Sequence, residues 1–498
     1  MTTPYQQLER RFHRIRAVGD AGGILSWDYQ TMMPEGAGAR RGEQMATLSV
    51  IAHELLTAEE VGDWLAAAEQ DAGLGAFEKA NLREMRREYV HATALPADLV
   101  EATSKASSAC EMVWRGARAD SDYPRLLPHL RDLLGLVRQG AAAKAEKLGL
   151  SPYDALLDQY DPGNRSARID KIFAELAAFL PDLIGRIIDA QAAAPAATPL
   201  EGPFPVEKQK ALGESLMRRA GFDFNRGRLD VSLHPFCGGA TDDVRITTRY
   251  DESDFMRALL GVLHETGHAL YEQGLPADTR MQPAGASRGM TAHESQSLII
   301  EMQATRTDEF LAWLAPAAAE AFGGAGAAWS ADNFKRHCRK VERSFIRVDA
   351  DEATYPAHVI LRYRLERALI DGALDLADLP AAWNDGMTEL LGVTPPDDRR
   401  GCLQDIHWPG GAFGYFPTYT LGAMTAAQLF AAATEQNPDI RPGLAQGDFA
   451  PLVGWLREKI HAKGCLPASA EDLLSEATGK PLDPQVFRRH LERRYLNA

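Results

Sequence analysis

Residues 259–275 read LLGVLHETGHALYEQGL and are followed by Pro276. Apolar residues recur here at steps of three and four, which is the spacing of one helix face, and the proline predicts that the helix stops just before it. Within the run, His264 and His268 stand four residues apart with Glu265 beside the first. Four residues is about one helical turn, so both imidazoles project from one face, and the question is whether that face is only buried or also chemical.

Moving outward, the same periodicity runs through KIFAELAAFLPDLIGRIIDAQ (171–191), the first 70 residues and 297–314, so the chain is expected to be mainly α. Pro- and Gly-rich stretches at 192–205, 323–330, 394–398 and 409–417 predict loops. One segment departs from helical spacing. RLDVSLHPFCGGATDDVRITTRYDE (228–252) is rich in β-branched residues and alternates through VRITTRY, predicting a small hairpin or sheet immediately before the motif helix. Length leaves open roughly three average domains or a single large helical domain split by a cleft, and no fixed-period repeat or long flexible linker divides residues 1–498.

Composition narrows the function classes. The 498 residues are 45% hydrophobic and 25% charged, which suits a folded chain with a sizeable core. The net charge of -15, from 69 acidic against 54 basic side chains, argues against a nucleic-acid partner. The opening MTTPYQQLERRFHRIRAVGD lacks the apolar core of a secretory signal, and no apolar run approaches the roughly 18 residues of a membrane span, so a cytoplasmic protein without membrane partners is expected. The five cysteines, Cys110, Cys237, Cys338, Cys402 and Cys465, form no CxxC pair and read as reduced thiols.

HETGH at 264–268 is the zincin HExxH pattern, in which the two histidines bind a metal and the glutamate stands beside its water. A catalytic zinc takes a third protein ligand. No histidine follows at metzincin spacing, because position 274 is glycine and the next histidine is His293. The helix predicted from MTAHESQSLIIEMQATRTDEF can fold back antiparallel after the loop GLPADTRMQPAGASRG and bring Glu294 to the metal, with Glu301 and Glu272 as alternative ligands or outer partners. Zinc in such a site acidifies water and polarises a carbonyl while Glu265 takes the proton, so the expected reaction is peptide-bond hydrolysis.

Further motifs appear in a fixed order: WDYQTMMPEGAGARRGEQ (27–44), HPF (234–236), DVRIT (243–247), HETGH, HESQ (293–296), IRVDAD (346–351) and GCLQDIHW (401–408). Through them the chain closely resembles the carboxypeptidase Taq family of metallocarboxypeptidases over nearly its whole length. The resemblance implies a large helical peptidase fold with a deep central cleft between N-terminal and C-terminal halves, and one divalent cation, Zn²⁺ or Co²⁺. It also implies peptide substrates with a free C-terminus, release of single residues with broad specificity, and a homodimer. After HESQ this chain continues Ser297, Leu298, Ile299, Ile300 where a serine, an arginine and an aromatic are expected of many members. A related helical zinc oligopeptidase or dipeptidyl carboxypeptidase is the alternative.

A carboxypeptidase needs a group for the terminal carboxylate, and a guanidinium supplies two parallel charge-assisted bonds. The family motifs offer Arg347 as that clamp and Arg245 as an assistant or as a partner of Asp243. VRITTRY could pair with an extended substrate, with Gly238 and Gly239 permitting close approach and His234 lining the pocket. For the oxyanion, QDIHWPGGAFGYFPTYTLGA (404–423) offers His407, Tyr415 and Tyr419, as in related helical zinc peptidases. Trp27 and Asp28 read as packing anchors, Met32 and Met33 as core, and the charged FRRHLERRYLNA (487–498) as a solvated helix face.

Overall fold

The motif helix spans Phe255–Gly274 in the computed structural model, which describes residues 2–496. It starts where the Asp254 carboxylate accepts the backbone N–H groups of Met256 and Arg257, and it ends ahead of Pro276 as expected. Met256, Leu259, Val262, Leu263, Ala269 and Leu270 are buried along it. Each large apolar side chain so buried contributes about 1.5–3 kcal/mol, which fixes the rotation of the helix and hence the direction of the histidines.

Twenty α-helices and three short strands make the chain mainly α among the described residues. The periodic stretch at 171–191 lies inside a helix, Ser166–Ala192, that buries Ile169, Ile172, Phe173, Leu176, Leu180, Leu183, Ile184 and Ile187. The stretch at 297–314 is not one helix. A helix over Gly289–Leu298 gives way to a π-helical segment, Ile299–Ala304, and a new helix, Asp308–Phe322, starts with the Thr307 hydroxyl as its cap. The competing local bonds explain the break: Thr305 N–H reaches back to the Ile300 carbonyl and Thr305 Oγ1 donates to the Glu301 carbonyl.

The sheet contains β1 (Gly227–Val231), β2 (Cys237–Ala240) and β3 (Asp243–Thr248) in the order β1-β3-β2, with β1 parallel and β2 antiparallel to β3. The β2–β3 hairpin turns through Asp242 at φ 63, a conformation that aspartate tolerates better than most residues. Substrate pairing along VRITTRY is overturned by this order, because β3 is the central strand and both of its edges are already bonded. Gly239 is close-packed for a different reason. A Cβ at Gly23, on the helix Pro4–Thr31, would stand only 2.1 Å from the Gly239 carbonyl oxygen.

The chain gathers into two compact units. One holds the residues up to Ala92 with Ala196–Cys338 and Thr425–Leu482, and the other holds Thr93–Pro195, Arg339–Met424 and the residues from Asp483. Neither unit is a contiguous half of the sequence, so a division into N-terminal and C-terminal halves does not describe them. The C-terminal helix Pro484–Leu496 is more than a solvated face: Phe487 and Leu491 are buried, and His490 Nε2 and Arg494 Nη1 each lie 2.8 Å from the buried carboxylate of Glu352. Trp27 is buried against the guanidiniums of Arg228 and Arg245, whereas Met32, read as core, is exposed. No helix among the described residues is long and apolar enough to cross a membrane.

Candidate metal centre

His264 Nε2 and His268 Nε2 face the same oxygen, Glu294 Oε2, at 3.9 and 3.5 Å. Ligand atoms about 2.0–2.1 Å from one zinc at tetrahedral angles stand roughly 3.3–3.4 Å apart, so a modest contraction seats an ion among them. His264, His268 and Glu294 are the one group of metal-ligating side chains converging in this way among the described residues.

The convergence is a product of close helix packing. Gly267, between the two histidines, faces the return helix Gly289–Leu298, and a Cβ there would stand 2.3 Å from the Gln296 carbonyl oxygen and 2.6 Å from Ser297 Cα. Any larger residue at 267 would push the helix that carries Glu294 away. The loop joining the helices is anchored by a buried pair in which Arg288 donates to both oxygens of Glu84 at 2.7 and 3.0 Å, and Arg288 N–H donates to the Tyr271 hydroxyl. Arg288 Nη1 also donates to the Pro467 carbonyl, while Cys465 Sγ donates to the carbonyls of Ala286 and Ser287.

Glu301 and Glu272 stand outside this trio and contact its surroundings. Glu301 Oε2 lies 3.0 Å from His264 Nδ1 and its other oxygen accepts from Arg306 Nη2 at 2.8 Å. Glu272 Oε1 lies 2.8 Å from Nε2 of His293, whose Nδ1 is 2.6 Å from His268 Nδ1. Both Nδ1 atoms are engaged by these outer contacts, and both Nε2 atoms face Glu294.

The electrostatics follow from burial and the carboxylates. Burial alone would lower the His264 pKa, but its hydrogen bond to Glu301 and the charges of Glu294 and Glu265 raise it to about 10. His268 goes the other way, down to about 4, because burial outweighs its Glu294 contact. Glu294 and Glu301 sit below the ordinary range: burial opposes this, but His268 and His264 respectively favour their ionised forms. Glu265 is pushed up to about 7, by burial first, with His264 opposing and Glu294 adding to the rise. These residues fit a divalent cation, since they offer two oriented imidazoles and a surplus of negative charge.

The other predicted residues fall in two places. Arg347, His407, Tyr415 and Tyr419 cluster within the second unit. Arg347 Nε and Nη2 donate to Asp405 Oδ1 at 3.0 and 2.8 Å, its Nη1 donates to the Tyr355 hydroxyl at 2.8 Å, and the guanidinium lies 5.0 Å from the centre of the Tyr419 ring. Arg362, fully buried, donates to the other oxygen of Asp405 at 2.6 Å. Burial works against ionising Asp405, yet Arg362 and Arg347 hold it well below the usual carboxylate range. His407 Nε2 lies 3.3 Å from the Tyr419 hydroxyl, the Tyr415 and Tyr419 rings are 5.1 Å apart, and burial lowers the His407 pKa to about 4. In the first unit, Arg245 is taken up by Asp243 through two hydrogen bonds, at 2.9 and 2.6 Å, so it acts as the partner of Asp243. His234 and Gly238 are exposed, on the loop before β2 and on β2.

Sequence reasoning passed over His293, Arg362, Asp405 and Tyr355. His293 and Asp405 lay inside quoted motifs and could have been weighed there, whereas nothing in the helix Tyr355–Asp371 distinguishes Arg362 from its neighbouring arginines.

A family model described as carboxypeptidase Taq (M32) metallopeptidase matches residues 7–495. Thermostable carboxypeptidase 1 of Thermus thermophilus is 38% identical to this chain over 508 residues, covering 99% of the chain and 98% of that protein. Carboxypeptidase 1 of Bacillus subtilis is 35% identical, covering 97% and 96%. Among solved structures, Trypanosoma cruzi metallocarboxypeptidase 1 is similar with a TM-score of 0.96 at 42% identity over 99% of both chains. A Pyrococcus furiosus carboxypeptidase has a TM-score of 0.94 at 34% identity, again over 99% of both.

Proposed function

The chain belongs to the carboxypeptidase Taq (M32) metallopeptidase family and is a metal-dependent carboxypeptidase, and from that premise we propose which of its residues do the work. His264, His268 and Glu294 hold one divalent cation, Zn²⁺ with Co²⁺ as the alternative. The observation that carries this assignment is the approach of both Nε2 atoms to one Glu294 oxygen. When bound, the cation polarises the scissile carbonyl and makes water acidic enough to attack near neutral pH.

Glu265 is the general base and passes the proton on to the departing amine. Its raised pKa supports the role, because a base near neutrality both accepts and returns a proton readily, and an adjacent dication favours the ionised form that must act first. Arg347 receives the terminal carboxylate of the substrate. Two guanidiniums share the single carboxylate of Asp405, a cationic surplus that suits an incoming anion. His407 and Tyr419 supply donors for negative charge developing on the carbonyl oxygen, with Tyr415 packed beside them. His234 and Gly238, both exposed, with neighbouring Gly239, are positions for contact with the peptide body.

The activity is release of single C-terminal residues with broad specificity. The family resemblance extends the reading to a cytoplasmic homodimer, which light scattering on the purified protein tests. The test of the reaction is a time course of product masses from an N-blocked peptide, using chelated protein with and without restored Zn²⁺ or Co²⁺. The expected result is a metal-dependent ladder shortened by one residue at a time, and dipeptide steps or internal cuts would overturn the single-residue reading.

A further inference from the structure

The two histidines of the motif face the same point but are held by different means. Behind His264 stands a carboxylate, Glu301, 3.0 Å from Nδ1. A carboxylate can only accept, so the hydrogen of His264 is on Nδ1 and the Nε2 lone pair is left for the metal. Behind His268 stands another imidazole. His268 Nδ1 and His293 Nδ1 are 2.6 Å apart, and at that distance one nitrogen must donate and the other accept. This contact alone does not decide which.

The decision is made one group further out. His293 Nε2 lies 2.8 Å from Glu272 Oε1, and the carboxylate obliges His293 to carry its hydrogen there. His293 Nδ1 is then bare and accepts from His268 Nδ1–H, which leaves His268 Nε2 as a lone pair facing Glu294 Oε2. With the opposite tautomer, His293 would donate to His268 Nδ1, and the hydrogen of His268 would sit on Nε2, where the metal has to bind.

We propose that Glu272 and His293 form a two-step tautomer relay that sets His268 as a metal ligand, which makes both of them positioning residues. The proposal rests on the ligand set given above. The relay runs between the two ligand-bearing helices: Glu272 lies one turn after His268 on the motif helix, and His293 immediately precedes Glu294 on the return helix. Its middle is flanked by the Tyr271 ring, whose centre lies 5.5 Å from that of His293.

The experiment has two readouts other than turnover. The chain has 13 histidines, so ¹⁵N-histidine labelling with assignment by a His293→Gln variant reads each tautomer in the Zn²⁺-loaded full-length protein. His293 is expected to carry its hydrogen on Nε2 and His268 on Nδ1. Finding the hydrogen of His293 on Nδ1 overturns the relay whatever any variant does. Zn²⁺ affinity, measured by chelator competition on protein with unchanged far-UV dichroism, is expected to fall about 10–100-fold in Glu272→Ala. Glu272→Gln, whose carbonyl oxygen still accepts from Nε2–H, is expected to stand closer to the unmodified protein. Equal loss in Gln and Ala would show that charge and not tautomer is at work, and no loss in Ala would remove Glu272 from the centre. His268→Ala is the check on the ligand set: if it keeps tight Zn²⁺ binding, the ligand assignment fails, and the relay is not what was tested.

Discussion

The metal centre and the Arg347 cluster are built of the same materials and carry opposite imbalances. Around His264 and His268 stand the carboxylates of Glu265, Glu272, Glu294 and Glu301, with Arg306 answering Glu301. Around Asp405 stand two guanidiniums, Arg347 and Arg362, which bond to its opposite oxygens. Removing unmatched charge from water costs several kcal/mol per ion, so each imbalance marks a place that a ligand of the opposite sign relieves. One site is short of a cation and the other of an anion. A metal ion and a peptide carboxylate are the two charged participants of the proposed reaction, and the charge balance supports the proposed assignment independently of motif spelling.

The most damaging way to break the anionic site while keeping its metal is Glu265→Gln. Turnover is expected to fall by about 10²–10⁴-fold with metal content and helicity unchanged. A loss below tenfold removes Glu265 from the role of base. In the cationic site, Arg347→Ala is expected to lower kcat/KM on peptides with a free C-terminus by about 10²-fold or more, as truncating one member of a buried charge pair does, and to leave C-terminally amidated peptides nearly unaffected. Equal losses on both substrates would refute the clamp.

A smaller effect sharpens the same contrast through pH. His264 must lose its proton to ligate, and its pKa is raised to about 10. Apparent Zn²⁺ affinity is therefore expected to climb about tenfold per pH unit from pH 6 to 9. Chelator competition at several pH values checks this, and a plateau above pH 7 would place the His264 proton near its ordinary value.

The smallest effects are on stability and have opposite signs within the second unit. Asp405, between guanidiniums, is held low, so its contribution is present above the unfolded carboxylate pKa and is lost as the pH falls through the depressed folded value. Glu366 receives neutral donors, Tyr153 Oη at 2.5 Å and Trp408 Nε1 at 3.0 Å, and burial pushes its pKa up to about 7. The folded state then binds the extra proton, so stability falls as the pH rises from the ordinary carboxylate range to about 7. Denaturant unfolding across pH 4–8 is expected to show that Glu366→Gln removes this neutral-side decline while Asp405→Asn does not.

How much of this was legible in the sequence depended on how local the cause was. His264, Glu265 and His268 share one turn of helix, so their spacing alone displays them together. Glu294 was legible because the loop at 275–288 allows the next helix to return beside the first. The outer partners were not so readable. Glu301 reaches His264 from a π-helical segment that ordinary helical spacing did not anticipate, and His293 acts through a contact between two helices. Asp405 could be quoted as a letter of a motif, but its sharing between Arg347 and Arg362 joins segments far apart in the chain. VRITTRY had the alternation of a strand, yet nothing in alternation says whether a strand is central or at an edge, and here it is central.

The anchoring of Arg288 also bears on the order in which the protein is made. Its carboxylate partner, Glu84, emerges early in synthesis, but the Pro467 carbonyl and the Cys465 contacts that complete the loop's cradle come from close to the end of the chain. A nascent chain that has released His264, His268 and Glu294 therefore still lacks the contacts that hold the loop leading to Glu294. Tight metal capture is expected to need residues 465–467, and a chain interrupted before them is expected to carry the motif without the assembled site.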